Sequence, residues 1–132
     1  MTIEKERYYW LKLHKDFFKR KEIVVVENLD DGKDYILFYL KLLCESVDRE
    51  GRLMLTDTVP YSEQTLASVT GTKVSIVHSA IEVFMSLKMI EILDDKTIFM
   101  SEIAQLTGSE SKWAKYKKKS YLESRDGVKK LE

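Results

Sequence analysis

The sequence predicts a mainly α fold with one small β-hairpin, an α+β class, and three observations carry that expectation. Apolar residues recur at helical spacing through much of residues 31–88, Gly32, Gly51, Gly71, Gly108, Gly127 and Pro60 punctuate the chain, and two short apolar runs flank Asp94-Asp95-Lys96. At 132 residues, 44% hydrophobic and 11% aromatic, the chain is long enough to close one core and too apolar for a disordered protein. Residues 1–108 are therefore read as one domain with an aromatic N-terminal extension, and residues 109–132 as a basic, exposed helix or linker.

The elements follow in order. Tyr8-Tyr9-Trp10-Leu11-Lys12-Leu13 and Asp16-Phe17-Phe18 are too aromatic for a free tail, so they are expected to pack on the core. From Asp31 to Val47, Ile36, Leu37, Leu40, Leu43, Cys44 and Val47 mark one helical face and Tyr35, Phe38, Tyr39 and Leu42 the next. Only Asp34, Lys41, Glu45 and Asp48 remain for water, which makes this the central helix, with Asp30 or Asp31 as its cap. Gly51-Arg52-Leu53-Met54-Leu55-Thr56 reads as a turn into a short strand. Pro60 and Ser62 signal a second helix with Leu66 and Val69 inward, ended by Gly71. Thr72 can cap a third helix, running to about Lys88, with Val77, Ala80, Ile81, Phe84 and Leu87 as its apolar stripe. Ile90-Glu91-Ile92-Leu93 and Thr97-Ile98-Phe99-Met100 complete a hairpin. Two helices joined at a glycine form a helix-turn-helix, and the whole order is that of a winged helix.

The net charge of zero conceals a segregation. Residues 1–22 carry +3 and residues 109–132 carry +4, while residues 23–108 hold seven basic and fourteen acidic residues, a net of −7. A polyanion is thus directed to the ends. No apolar run approaches the ~20 residues of a membrane span, the N-terminus lacks a signal-peptide pattern, and Cys44 has no disulfide partner, so no membrane contact and a cytoplasmic location are expected.

Catalysis finds little support. His14 and His78 lack Cys, Asp or Glu neighbours in a metal-ligand pattern, no phosphate loop, dinucleotide fingerprint or nucleophile elbow occurs, and Cys44 reads as a buried small hydrophobe. No enzyme activity, cofactor or metal is expected. In the helix-turn-helix, Lys73, Ser75, His78 and Ser79, with Ile76, occupy the positions from which a recognition helix reaches base edges. The competing reading gives Ile76 and Val83, seven residues apart outside the main stripe, to a partner protein. Asp94 and Asp95 at the hairpin tip oppose phosphate, with Lys96 offsetting one charge. Lys112, Trp113, Lys115, Tyr116, Lys117, Lys118, Lys119 and Tyr121 interleave rings with cations, which suits stacking on unpaired bases; a solvated linker is the alternative. Lys19-Arg20-Lys21 reads either as a shorter cluster of this kind or as a helix C-terminus complementing its dipole.

These segments resemble the N-terminal domain of phage replisome organisers. The resemblance runs from Tyr9 to Ser111 and is carried by Trp10-Leu11-Lys12-Leu13, Asp16-Phe17-Phe18, Tyr39 with Leu42-Leu43, Gly51-Arg52-Leu53, Pro60-Tyr61, Leu66-Ala67 and Met89-Ile90-Glu91 leading into Ile98-Phe99-Met100. More distantly, the layout is similar to the N-terminal domain of DnaD-type primosome proteins, which self-associate. The chain departs from the family pattern at Met89, where a glycine is usual, and in carrying lysines rather than arginines at Lys115 and Lys117-Lys118-Lys119. An ammonium acts as a point charge where a guanidinium grips phosphate with two bonds.

The resemblance implies a replication initiator in the cytoplasm of a bacterial host that binds origin DNA, duplex or single-stranded, forms homo-oligomers and helps assemble the primosome with a helicase or loader of the host. It also implies a further C-terminal domain, so the chain is expected to be part of a longer protein, with Leu131-Glu132 readable as an expression-vector remnant. The alternative is a homo-oligomerising scaffold without direct DNA contact in this segment.

Overall fold

The computed structural model describes residues 9–107. Within them the protein is mainly helical with a two-stranded antiparallel hairpin, the α+β class expected. A 3-10 turn at Phe17–Lys19 leads into α1 (Lys21–Glu27), followed by α2 (Gly32–Ser46), a 3-10 turn at Val47–Arg49, α3 (Glu63–Thr70), α4 (Val74–Ser86), β1 (Ile90–Ile92), β2 (Ile98–Met100) and α5 (Ile103–Thr107).

α2 is the central helix, burying Tyr35, Ile36, Phe38, Tyr39, Leu42 and Leu43. Its main partner is the stripe Val77, Ala80, Ile81 and Phe84 of α4, where Phe84 lies 5.2 Å edge-on from Tyr39 and 6.3 Å from Phe38. The solvent face of α2 is not the fully polar one expected. Leu37 is 53% exposed and Cys44 is also exposed, because α3 and α4 pack over the neighbouring flank and leave these two in the outer stripe beside Lys33 and Asp34. Asp31 occupies the N-cap position without capping: its φ of 61° reverses the chain between α1 and α2, and its side chain makes no cap bond. Gly32 is required there by closeness, since a Cβ would lie 2.4 Å from the carbonyl oxygens of Val26 and Glu27.

α1 is not an element that the sequence pattern predicts. Its β-branched run Ile23-Val24-Val25-Val26 is a poor intrinsic helix former, yet burial of Ile23 and Val26 against α2 outweighs that propensity.

The two helices joined at Gly71 follow the sequence closely. Ser62 accepts the Thr65 N–H at 3.1 Å to start α3, and Gly71 ends it at φ 66°. Three details differ. Thr72 is not the cap of α4; its hydroxyl turns back to Thr70, and Lys73 holds the N-cap position. Val69 is 44% exposed, since Leu66 and Thr70 take the inward positions of the short α3. α4 ends at Ser86 because Lys88 adopts a left-handed φ of 60° to enter the hairpin.

The hairpin pairs Ile90 with Met100, Glu91 with Phe99 and Ile92 with Ile98. The strand expected at 51–56 is reduced to two isolated bridges, Arg52 with Phe99 and Met54 with Pro60. The chain folds back at once, with the N–H groups of Leu55 and Thr56 both donating to Val59. Gly51 at φ 96° lies against Ile103 and Phe99, and α5 closes the core with Ile103 and Leu106.

The aromatic N-terminal segment only partly packs as expected. Phe17 is buried and Leu11 rests on the core, but Tyr9, Trp10, Leu13 and Phe18 are 50%, 70%, 46% and 47% exposed.

Candidate nucleic-acid interface

Four residues of the predicted interface fall on the α3–turn–α4 unit. Lys73 and Ser75 are exposed at the start of α4, His78 is exposed one turn on, and Ser79 is half-buried. α4 contains no Lys or Arg, so Lys73 at its N-cap supplies the cation for this end of the helix. His78 is not a free donor. Its Nδ1 lies 3.1 and 3.3 Å from the two carboxylate oxygens of Glu63 on α3, and its Nε2 lies 3.8 Å from Glu82 one turn along α4. The hydrogen bond to Glu63, then the charges of Glu63 and Glu82, raise its pKa above the ordinary imidazole value. The structure thus sets two carboxylates beside the residue that the sequence nominates for a base contact.

The same holds on the other flank. Lys73 and Ser75 border a cleft of about 410 Å³ shared with Asp31, Asp34, Leu37 and Ile76. Lys41 enters it from α2, with its Nζ donating to the Thr70 carbonyl at 2.8 Å, where it closes the C-terminal end of α3. Ile76 and Val83, read from sequence as a separate apolar face, are partly buried and packed on the core. The exposed apolar residues of α4 are instead Val74 and Met85.

At the hairpin tip, where the sequence offers Lys96 against one of the two carboxylates, Asp95 gains a further cationic partner. Arg52 reaches Asp95 at 2.9 Å, and the Thr97 N–H donates to the other oxygen of Asp95 at 3.1 Å. The hydrogen bonds from Thr97 come first and the Arg52 charge later among the causes that hold Asp95 below its ordinary pKa.

The N-terminal segment differs in composition and in arrangement. Lys12, Lys15, Lys19 and Lys21 are exposed. Arg20 points inward and is consumed by structure: it pairs with Glu22 at 2.8 Å and with Glu102, and it lies 5.6 Å from the centre of the Phe17 ring. Lys19-Arg20-Lys21 closes the 3-10 turn at Phe17–Lys19, with Lys19 in its last turn and Arg20 as its C-cap, and at the same time opens α1, with Arg20 at the N-cap position. Beneath it lies Tyr39, whose phenol is pushed up by burial and by the nearby Glu102 charge. Arg20 and Glu102 thereby tie the start of α1 to the start of α5. A second tie runs from the Lys12 N–H to the Leu106 carbonyl, so the arm lies alongside α5. The predicted residues Lys112, Lys115, Lys117, Lys118 and Lys119 lie outside the described residues.

Sequence reasoning missed the Glu63 and Glu82 partners of His78. The spacing of His78 to Glu82, one helical turn, was a readable signal for one of them; Glu63 comes from another helix and left none. Among the described residues, no group of three His, Cys, Asp or Glu side chains could hold a metal ion, and no helix is long and apolar enough to cross a membrane.

These features define a small, mainly helical α+β protein with one antiparallel hairpin and exposed lysines on its N-terminal arm. The chain belongs to the N-terminal phage replisome organiser family, which it matches over residues 10–128, and its role lies in phage replication. No curated protein and no solved structure matches it.

Proposed function

We propose that this domain is a DNA-binding and assembly module of a phage replication initiator, a winged helix that meets origin DNA and helps assemble the primosome with a host helicase or its loader, rather than an enzyme. It works in the cytoplasm of the bacterial host. DNA contact is mainly electrostatic and is made by the basic ends of the chain, with α4 in a secondary role. The observation that carries this reading is the contrast in charge: exposed Lys12, Lys15, Lys19 and Lys21 on the arm against Glu63, Glu82, Asp31 and Asp34 around α4.

The test is fluorescence anisotropy of labelled duplex DNA with the full chain over a salt series. Binding that weakens steeply as salt rises supports the reading, because each neutralised phosphate adds about 0.9 to the logarithmic slope. No binding of duplex at about 50 mM salt contradicts it.

A second reading, self-association without DNA contact, draws support from the apolar side chains Leu37, Val69 and Val74, which are 53%, 44% and 49% exposed. Size-exclusion chromatography with light scattering separates the two, since a stable oligomer that ignores DNA fits only the scaffold.

A further inference from the structure

We propose that the N-terminal arm, residues 9–21, is a platform for single-stranded nucleic acid, with Tyr9, Trp10 and Phe18 offering ring faces to unpaired bases and Lys12, Lys15 and Lys19 meeting the backbone phosphates. This rests on the reading that the domain binds DNA during replication, and it assigns a strand type and a set of residues to that contact.

The first argument is exposure. Trp10 is 70% and Tyr9 50% exposed, although the arm has access to the same core that buries Phe17 to 2%. Aromatic side chains ordinarily bury most of their large apolar surface, so neighbouring rings left in water mark a surface that awaits a ligand.

The second is attachment. The arm is not a free end: Phe17 is buried, Leu11 rests on the core and the Lys12 N–H donates to the Leu106 carbonyl. The partly buried Leu11 and the buried Phe17 lie next in sequence to the exposed rings at 10 and 18. Rings held in this way lose little conformational freedom when a base stacks on them.

The third is charge, and it selects the ligand. Residues 9–21 contain four lysines and one arginine against one acid, Asp16. Asp16 is 3.4 Å from Lys19, a pair whose side chains are 44% and 82% exposed and which water and salt screen. Lysine is depleted from protein–protein interfaces, whereas cations interleaved with rings are the composition of sites that track single strands. A duplex hides its base faces in the stack, so stacking needs unpaired bases.

The test uses the full chain and fluorescein-labelled oligothymidylate, which forms no duplex, beside a labelled duplex of equal length. Stacking on one ring is worth about five- to 150-fold in affinity. Trp10→Ala should weaken oligothymidylate binding by that factor and leave duplex affinity within about twofold, while Trp10→Phe, which keeps a ring, should retain most of the binding. Lys12→Ala and Lys15→Ala should each remove about 0.7 from the single-strand salt slope. Equal oligothymidylate affinity for wild type and Trp10→Ala overturns the proposal. So does a Trp10→Ala variant that loses self-association in light scattering while binding oligothymidylate unchanged, since a second copy then covers the ring. A chain that binds duplex but not oligothymidylate overturns this inference alone; one that binds neither overturns the DNA-binding reading as well.

Discussion

The two faces that this domain offers to a polyanion are built in opposite ways. On α4 the hydroxyls and Lys73 are set among carboxylates, and His78 is already engaged by Glu63 and Glu82. Beside the N-terminal arm the acids are engaged instead: Glu22 and Glu102 are taken by Arg20, Asp16 pairs with Lys19 at the surface, and Lys12, Lys15 and Lys21 are exposed. A helix in the recognition position is therefore a poor guide to where charge is available. The difference arises because α4 draws its neighbours from the acidic middle of the chain, while the arm pairs its one inward cation with acids and leaves the rest outside.

The largest expected effect comes from beneath the α4 face. Phe84 is fully buried between Phe38 and Tyr39, and Phe84→Ala should cost about 3–5 kcal/mol in chemical denaturation. The remaining folded fraction should still bind duplex DNA with wild-type affinity if contact lies at the ends. A folded Phe84→Ala protein that has lost DNA would move the site to α4.

Where α1 meets α2 the corresponding weak point is Gly32. A methyl group there meets the carbonyls of Val26 and Glu27 and pushes α1 away from α2. Gly32→Ala should lower stability by about 1–3 kcal/mol. Its signature in hydrogen exchange is loss of protection in α1 before α4. Uniform loss of protection would show that the two faces are not separable.

Deleting Ser109 to Glu132 should weaken duplex binding at least tenfold, about 1.4 kcal/mol, and flatten the salt slope. Unchanged affinity after the deletion would leave the arm to act without the tail.

The smallest effect concerns His78. Its pKa is raised in the folded state, so its pairing with Glu63 stabilises the protein fully below the unfolded value of about 6.5, and this contribution is lost as pH rises through the raised folded value. The wild-type melting temperature should exceed that of His78→Ala at pH 5.5 and converge with it above pH 8. A constant difference across that range would mean that the imidazole contributes by packing alone.

Much of the fold was legible because it is local. Ser62, Gly71 and the Val77, Ala80, Ile81 and Phe84 stripe each act within a turn or two of themselves, and the alternation around Asp94-Asp95-Lys96 is enough to place β1 against β2. What escaped is long-range. α1 forms against its own propensity because α2 offers a surface for Ile23 and Val26, and Cys44 is exposed because α3 and α4 cover another flank of α2. The candidate site follows the same rule. Lys73, Ser75 and His78 are on α4 as expected, but the carboxylates that change their meaning come from α3, α2 and a later turn of α4, and Arg52 finds Asp95 across the sheet. The N-terminal rings stand out in the sequence but their exposure does not, since composition does not reveal which side of a ring faces water.

Under the proposed function DNA is held mainly by the ends of this chain, with α4 secondary, and the salt dependence of duplex binding in two matched variants tests this most directly. Lys12→Ala/Lys15→Ala/Lys19→Ala alters the arm, and Lys73→Ala/Ser75→Ala alters the start of α4; all five side chains are exposed, so both proteins should fold. The arm variant should lose about 0.9 of logarithmic slope for each lysine that meets a phosphate, while the α4 variant should lose no more than the single unit of Lys73 and keep its preference among sequences. An arm variant with the wild-type slope, beside an α4 variant that no longer discriminates between sequences, would contradict the account.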